Sequence, residues 1–256
     1  MISQIEMVSL EDLVPEDHRY RQFSKLWKFG YARKCLKKLE KDNPYKGYGM
    51  LTLFKCLLLQ FMEDLSDRDL SRFMQENTAA KWFCGFGLCE KTPHYSVFTK
   101  TRDRIGTERL SKLFSRMREQ LKAAGYMNEV FSFVDATSLI TKAALWKERD
   151  EAIQLKYEKL NNKVLPKVAT DSQARIGCKG KNKYWYGYKR HVSVDMQSGL
   201  INKVATTPAN ITDSQGFKHV CPVGGAAYMD KAYCTKAVEQ AAAKKNCHVA
   251  AIKKTT

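Results

Sequence analysis

The sequence contains no apolar run approaching ~18 residues, the length a membrane-crossing helix requires, so no such helix is predicted. The N-terminal stretch MISQIEMVSLEDLVPED has neither a basic region nor an apolar core, and it is not read as a signal peptide. No internal repeat and no low-complexity tail is present. No two cysteines form a CxxC pair. The eight cysteines, at 35, 56, 84, 89, 178, 221, 234 and 247, lie partly inside apolar patterns such as LFKCLLLQF, as free thiols do in a reducing compartment. Cys84, Cys89 and His94 fit no zinc spacing and lack a fourth ligand. Acidic residues are scarce: 27 Asp and Glu stand against 44 Lys and Arg, a formal charge of +17. Charge of that size and sign points to an acidic polymer or an anionic surface. With no membrane segment predicted, nucleic acid is the expected partner.

What is present supports a sizeable core. The hydrophobic fraction is 44% over 256 residues, enough for one large domain or two smaller ones. In the first half, Leu26, Trp27, Tyr31, Cys35 and Leu39 recur at helical spacing, with Lys25, Lys28, Arg33, Lys34, Lys37 and Lys38 between them. The basic face is either solvated surface or a DNA contact. Residues 50–65, MLTLFKCLLLQFMEDL, read as a buried helix. Ser66 with Asp69 opens another helix. KWFCGFGLCE, from Lys81 to Glu90, reads as a packed turn. Ser96 caps a helix that Gly106 ends, with Phe98 and Ile105 inward and Lys100, Arg102 and Arg104 outward. A short basic helix of this kind can enter a major groove, and it can equally be generic surface. Leu110, Leu113, Phe114, Met117 and Leu121 form a further helical stripe, closed by Gly125.

From Tyr126 the pattern changes to strands. FSFVDAT, from Phe131 to Thr137, reads as a buried strand ending on Asp135. AAYMDKAY, from Ala226 to Tyr233, is a second apolar run ending on an aspartate, Asp230. On neighbouring strands these two carboxylates would form an oxygen-ligand pair suited to Mg²⁺. Between them, residues 145–166 read as a loop or partly helical insertion. Tyr188 to Asp195 and Leu200 to Thr206 form a hairpin around Gln197-Ser198-Gly199. Asp213 to Val220 and Thr235 to Lys245 read as helices, and Cys247 to Ile252 as a last strand. The stretch RIGCKGKNKYWYGYKR interleaves Arg175, Lys179, Lys181, Lys183, Lys189 and Arg190 with aromatic residues. It either grips nucleic-acid strands through phosphate contacts and stacking or is a packed strand with solvated lysines. His191 is read as structural.

FVDAT, YGYKRHVSVD, GLINKVATTPANITDS and YMDKAY, in that order, resemble the DDE transposases of bacterial insertion sequences. The resemblance runs from about Tyr48 to the last residue. It implies an α/β fold: an RNase H-like mixed sheet with flanking helices over residues 126–256, preceded by an all-α domain over residues 1–125 that recognises DNA. It matches Asp135 to the family's first catalytic acid and Asp230 to the second. It implies Mg²⁺ or Mn²⁺ as cofactor, two ions in a complete site, which serve the attacking and leaving oxygens of an in-line displacement. The implied partners are DNA, as element terminal repeats and target, and further copies of the chain when bound to DNA. The implied location is the cytoplasm, at the nucleoid. DNA contacts are expected from Lys100, Arg102, Arg104, Arg175, Lys179, Lys181, Lys183, Tyr188, Lys189 and Arg190. The family's third acid is a glutamate on a helix after the last core strand. The sequence stops at AIKKTT, and Glu239, in the preceding helix, does not match that position. The expectation is a core incomplete at its C-terminus. That makes the chain either an impaired transposase or a non-catalytic DNA-binding regulator of a full-length relative.

Overall fold

The computed structural model describes residues 7–41, 47–141, 145–157, 159–180 and 182–252. The chain divides into two compact units, Met1–Gln120 and Leu121–Thr256. The first is helical: α1 (Leu10–Leu13), α2 (Arg19–Leu26), α3 (Gly30–Lys41), α4 (Met50–Met62), α5 (Asp67–Glu76), α6 (Thr78–Cys84) and α7 (Ser96–Ala123).

Helix α4 buries Met50, Leu53, Phe54, Cys56, Leu57 and Leu59, as its nearly uniform apolar circumference requires. Helix α5 starts where expected, with the Asp69 N–H donating to Ser66 Oγ at 3.2 Å. The segment read as a turn from Lys81 begins inside α6, which Asn77 caps and Gly85 (φ 83°) closes in the left-handed conformation. The predicted stripe through Leu26 and Tyr31 also needs correction. Non-helical backbone at Trp27 and Lys28 separates α2 from α3, so Leu26 and Tyr31 belong to different helices. Trp27 is buried and Leu26 is 76% exposed, while α3 buries Ala32, Leu36 and Leu39. Gly106 (φ 72°, ψ 160°) interrupts α7, so the helix break expected there occurs. Arg102 and Arg104, expected to face out, are half-buried and used inside the unit. Arg102 donates to both Asp67 oxygens, at 2.9 and 2.5 Å, and Arg104 donates to the Leu39 carbonyl at 2.8 Å.

The second unit holds β1 (Phe131–Ile140), α8 (Trp146–Gln154), α9 (Leu165–Val168), β2 (Arg175–Lys179), β3 (Lys183–Asp195), β4 (Ile201–Pro208), α10 (Asp213–Val220), β5 (Ala226–Met229), α11 (Lys236–Ala243) and β6 (His248–Ala251). One mixed sheet runs β2-β3-β1-β5-β6, with β4 also paired to β3. Strand β3 is antiparallel to β1, β2 and β4; β5 is parallel to β1, and β6 is parallel to β5. The long crossovers that parallel pairing demands are supplied by α10 before β5 and α11 before β6. The architecture is the mixed α/β fold expected from the sequence. Strand β2 is an addition to it, and residues 145–166 take the partly helical form of the expected insertion, with α8 and the start of α9.

Helices α10 and α11 cover one face of the sheet. Their Phe217, Val220, Val238 and Ala242 pack with Val134, Ala227 and Met229. Alternation then sends Phe131 and Phe133 to the opposite face, where each is 48% exposed. The expected burial of both rings is therefore wrong. An apolar run reveals a strand, but not that only one of its faces is covered. Gly216 of α10 lies directly on the His191 ring: a Cβ there would fall 2.1 Å from Cε1. His191 is fully buried, with Nε2 2.9 Å from Thr207 Oγ1, and burial lowers its pKa. It docks α10 on β3, the structural role read from the sequence.

Candidate active site

Strands β1 and β5 are neighbours in register, with Phe131 opposite Ala226 and Phe133 opposite Tyr228. Continuing that register by two residues brings Asp135 level with Asp230. Because side chains alternate, both aspartates face the same side as Phe131, Phe133 and Tyr228, and all five are exposed. Strand β1 continues to Ile140, beyond the expected end at Asp135, but its pairing with β5 stops at Phe133. Asp135 therefore stands just past the parallel ladder, paired with Val192 of β3 on its other side. Asp230 ends β5 and caps a 3₁₀ turn over Lys231–Tyr233, its Oδ1 accepting from the Ala232 N–H at 2.8 Å. The Tyr228 ring lies 6.0 Å from Phe131 and 6.3 Å from Phe133. The carboxylate pair thus adjoins an aromatic, solvent-facing patch.

Behind the pair sits Tyr233, which is 1% exposed and packed on Phe217 at 6.3 Å. Its hydroxyl is buried and has no hydrogen-bond partner among the described residues. Burial, then the charges of Asp213, Asp135 and Asp230, drive its pKa far above the ordinary phenol value. Asp213, at the start of α10, accepts from Lys189 Nζ at 2.8 Å. The sequence alone points to no role for Tyr233 or Asp213. Both lie in the motifs YMDKAY and TPANITDS, but nothing in those motifs indicates which acids a buried phenol faces.

Residues 8–104 match the family described as Transposase domain (DUF772), and residues 129–256 match the Transposase DDE domain. The chain belongs to the DDE transposases. No solved structure matches it. DDE transposase domains generally use divalent metal ions, and the donor set of this transposase suits one. Two carboxylates on adjacent strands offer hard oxygen ligands on an accessible face, leaving positions for water and phosphate. Among the described residues, no three His, Cys, Asp or Glu side chains converge on a metal-holding point.

The expected DNA contacts of this transposase fall into two groups. Lys100, Lys179, Lys183 and Arg190 are exposed. The others have partners within the fold. Arg102 and Arg104 are tied as described, and Arg175 donates to the Ser172 and Ala174 carbonyls at 2.6 and 2.7 Å. The Tyr188 hydroxyl lies 2.8 Å from both Asp171 oxygens; burial and that bond push its pKa up to about 12. Lys189 pairs with Asp213 and lies over the Trp185 ring at 5.7 Å. Lys181 lies outside the described residues. No helix among the described residues is long and apolar enough to cross a membrane.

Proposed function

We propose that this insertion-sequence transposase cuts phosphodiester bonds at the ends of its element and joins them to target DNA, with Asp135 and Asp230 as the carboxylates that hold the metal. One observation carries the reading: the parallel register of β1 and β5, carried two residues past its last pair, brings the two exposed acids level on one face. Mg²⁺ or Mn²⁺, two ions in a complete site, would supply Lewis acidity to the attacking and leaving oxygens. The chain's part is positional. Asp135 is fixed by pairing with β3, and Asp230 by its bond to the Ala232 N–H. The aromatic and aliphatic side chains beside them, Phe131, Phe133, Tyr228, Val192 and Val204, leave an apolar seat on the open face. On this reading residues 1–125 recognise DNA and residues 126–256 carry the chemistry. Lys179, Lys183 and Arg190 are the leading phosphate contacts of the second unit, acting on DNA in the nucleoid, with several copies assembled on the element ends.

The test is nicking of supercoiled plasmid with Mg²⁺ or Mn²⁺, run beside Asp135→Ala and Asp230→Ala. Metal-dependent nicking lost in both variants is expected. Nicking that survives either substitution would remove that aspartate from the site. A second reading keeps the DNA contacts without the cutting. On it the chain binds DNA without cutting and acts as a regulator, by occupying element ends or joining mixed oligomers with a catalytically active relative. DNA binding with no nicking would select this reading.

A further inference from the structure

We infer that the solvent face of α3 is a phosphate-contact surface for duplex DNA. The inference rests on the reading above that this transposase binds DNA, and it locates a contact surface that the expected residues did not include.

Helix α3 has two opposite faces. Ala32, Leu36 and Leu39 are buried against the rest of the first unit, and Arg33, Lys34, Lys37 and Lys38 are all exposed on the other side. None of these four cations makes a salt bridge among the described residues. Several other cations of the unit are occupied. Arg102 is bound by Asp67, Lys112 by Glu108 at 2.6 Å, and Arg116 by Glu119 at 3.3 Å. Arg104 is spent on the Leu39 carbonyl, which anchors the last turns of α3 itself. The one acid on the helix, Glu40, is also engaged, accepting the Met50 N–H at 3.0 Å at the start of α4.

Local helix physics does not account for the arrangement. Arg33 and Lys37, and Lys34 and Lys38, are like-charge pairs four residues apart, which weaken a helix. Arg33 and Lys34 also lie near the N-terminal end, where the macrodipole disfavours cations, and no acid occupies the first turn. Both costs are relieved when an anionic polymer lies along the face. From Arg33 to Lys38 the helix rises about 7.5 Å, at 1.5 Å per residue. One DNA strand carries a phosphate about every 3.4 Å of axis, so the patch spans roughly two phosphates of a strand. Such contacts carry no base information, so the surface would position the unit on DNA rather than read sequence.

The test is duplex binding by the full chain, wild type against the Arg33→Gln, Lys34→Gln, Lys37→Gln, Lys38→Gln variant, across a salt series and on two unrelated sequences. All four sites are exposed, and an unchanged Tm and circular dichroism spectrum would establish that the variant is folded. The expected result is weaker binding to both duplexes. The slope of log K against log salt should shrink by about 1.8, for two phosphates lost at about 0.9 each. A second variant, Arg33→Lys with Lys34→Arg, Lys37→Arg and Lys38→Arg, keeps the charge and should bind like wild type. An unchanged affinity and slope in the Gln variant would overturn the inference while leaving DNA binding in place. Failure of the wild type itself to bind DNA would overturn the underlying reading and this inference with it.

Discussion

Asp135 and Asp230 are ordinary exposed carboxylates taken singly; their shared face and level position make them a pair. Tyr233 behind them is the less ordinary residue, because a buried hydroxyl without a partner costs stability. Tyr233→Phe should raise the stability of the metal-free protein by about 1 kcal/mol, read as a Tm increase of a few degrees. A fall in Tm would mean that the hydroxyl is hydrogen-bonded after all. At Gly216 the opposite holds. A methyl group there must displace the His191 ring, and Gly216→Ala should destabilise by about 1–3 kcal/mol, as overpacking of a tight contact does. Adding His191→Ala should recover part of that loss, and strict additivity of the two would refute the contact.

At the level of elements, the fold was legible wherever the signal is local. Helix α4 was readable from its composition, the Ser66 cap from three residues, the β3–β4 hairpin from its turn, and the two aspartate-ending strands from their short apolar runs. What was hidden depends on distant partners. Asp67 lies far from Arg102 in sequence, so nothing near Arg102 shows that it locks α5 to α7 instead of facing solvent. The half-exposure of Phe131 and Phe133 depends on α10 and α11, which follow more than eighty residues later. The level position of the two aspartates was legible only as a possibility, because strand order is not written in either run. The Asp67–Arg102 lock also has a pH signature. Hydrogen bonding from Arg102 is the main reason the Asp67 carboxyl lies below its ordinary value of 3.8. Its contribution to stability is therefore full above that value and is lost as pH falls through the lowered pKa. Asp67→Asn should lower Tm at pH 7 and flatten the fall in Tm as pH drops below the ordinary value of 3.8. A variant with the same acid profile as wild type would contradict the lock.

At the scale of the whole molecule, a charge of +17 is explained by a polyanionic partner, and the family match supplies DNA. Cation placement adds detail that composition cannot. In the second unit Lys189 is held by Asp213 and Arg175 by backbone carbonyls. Exposed cations without a salt bridge among the described residues include Lys179 and Lys183 on the β2–β3 hairpin and Arg33, Lys34, Lys37 and Lys38 on α3. The two units thus each carry a surface suited to phosphate, while the carboxylate pair belongs to the second alone.

The central claim is that Asp135 and Asp230 jointly hold one divalent cation. Its most direct measurement is Mn²⁺ binding to the full chain, followed by electron paramagnetic resonance, for the wild type, Asp135→Asn and Asp230→Asn. The account predicts weak but saturable binding by the wild type, lost in both variants. Retention of that binding in either variant would show that the two carboxylates do not share an ion.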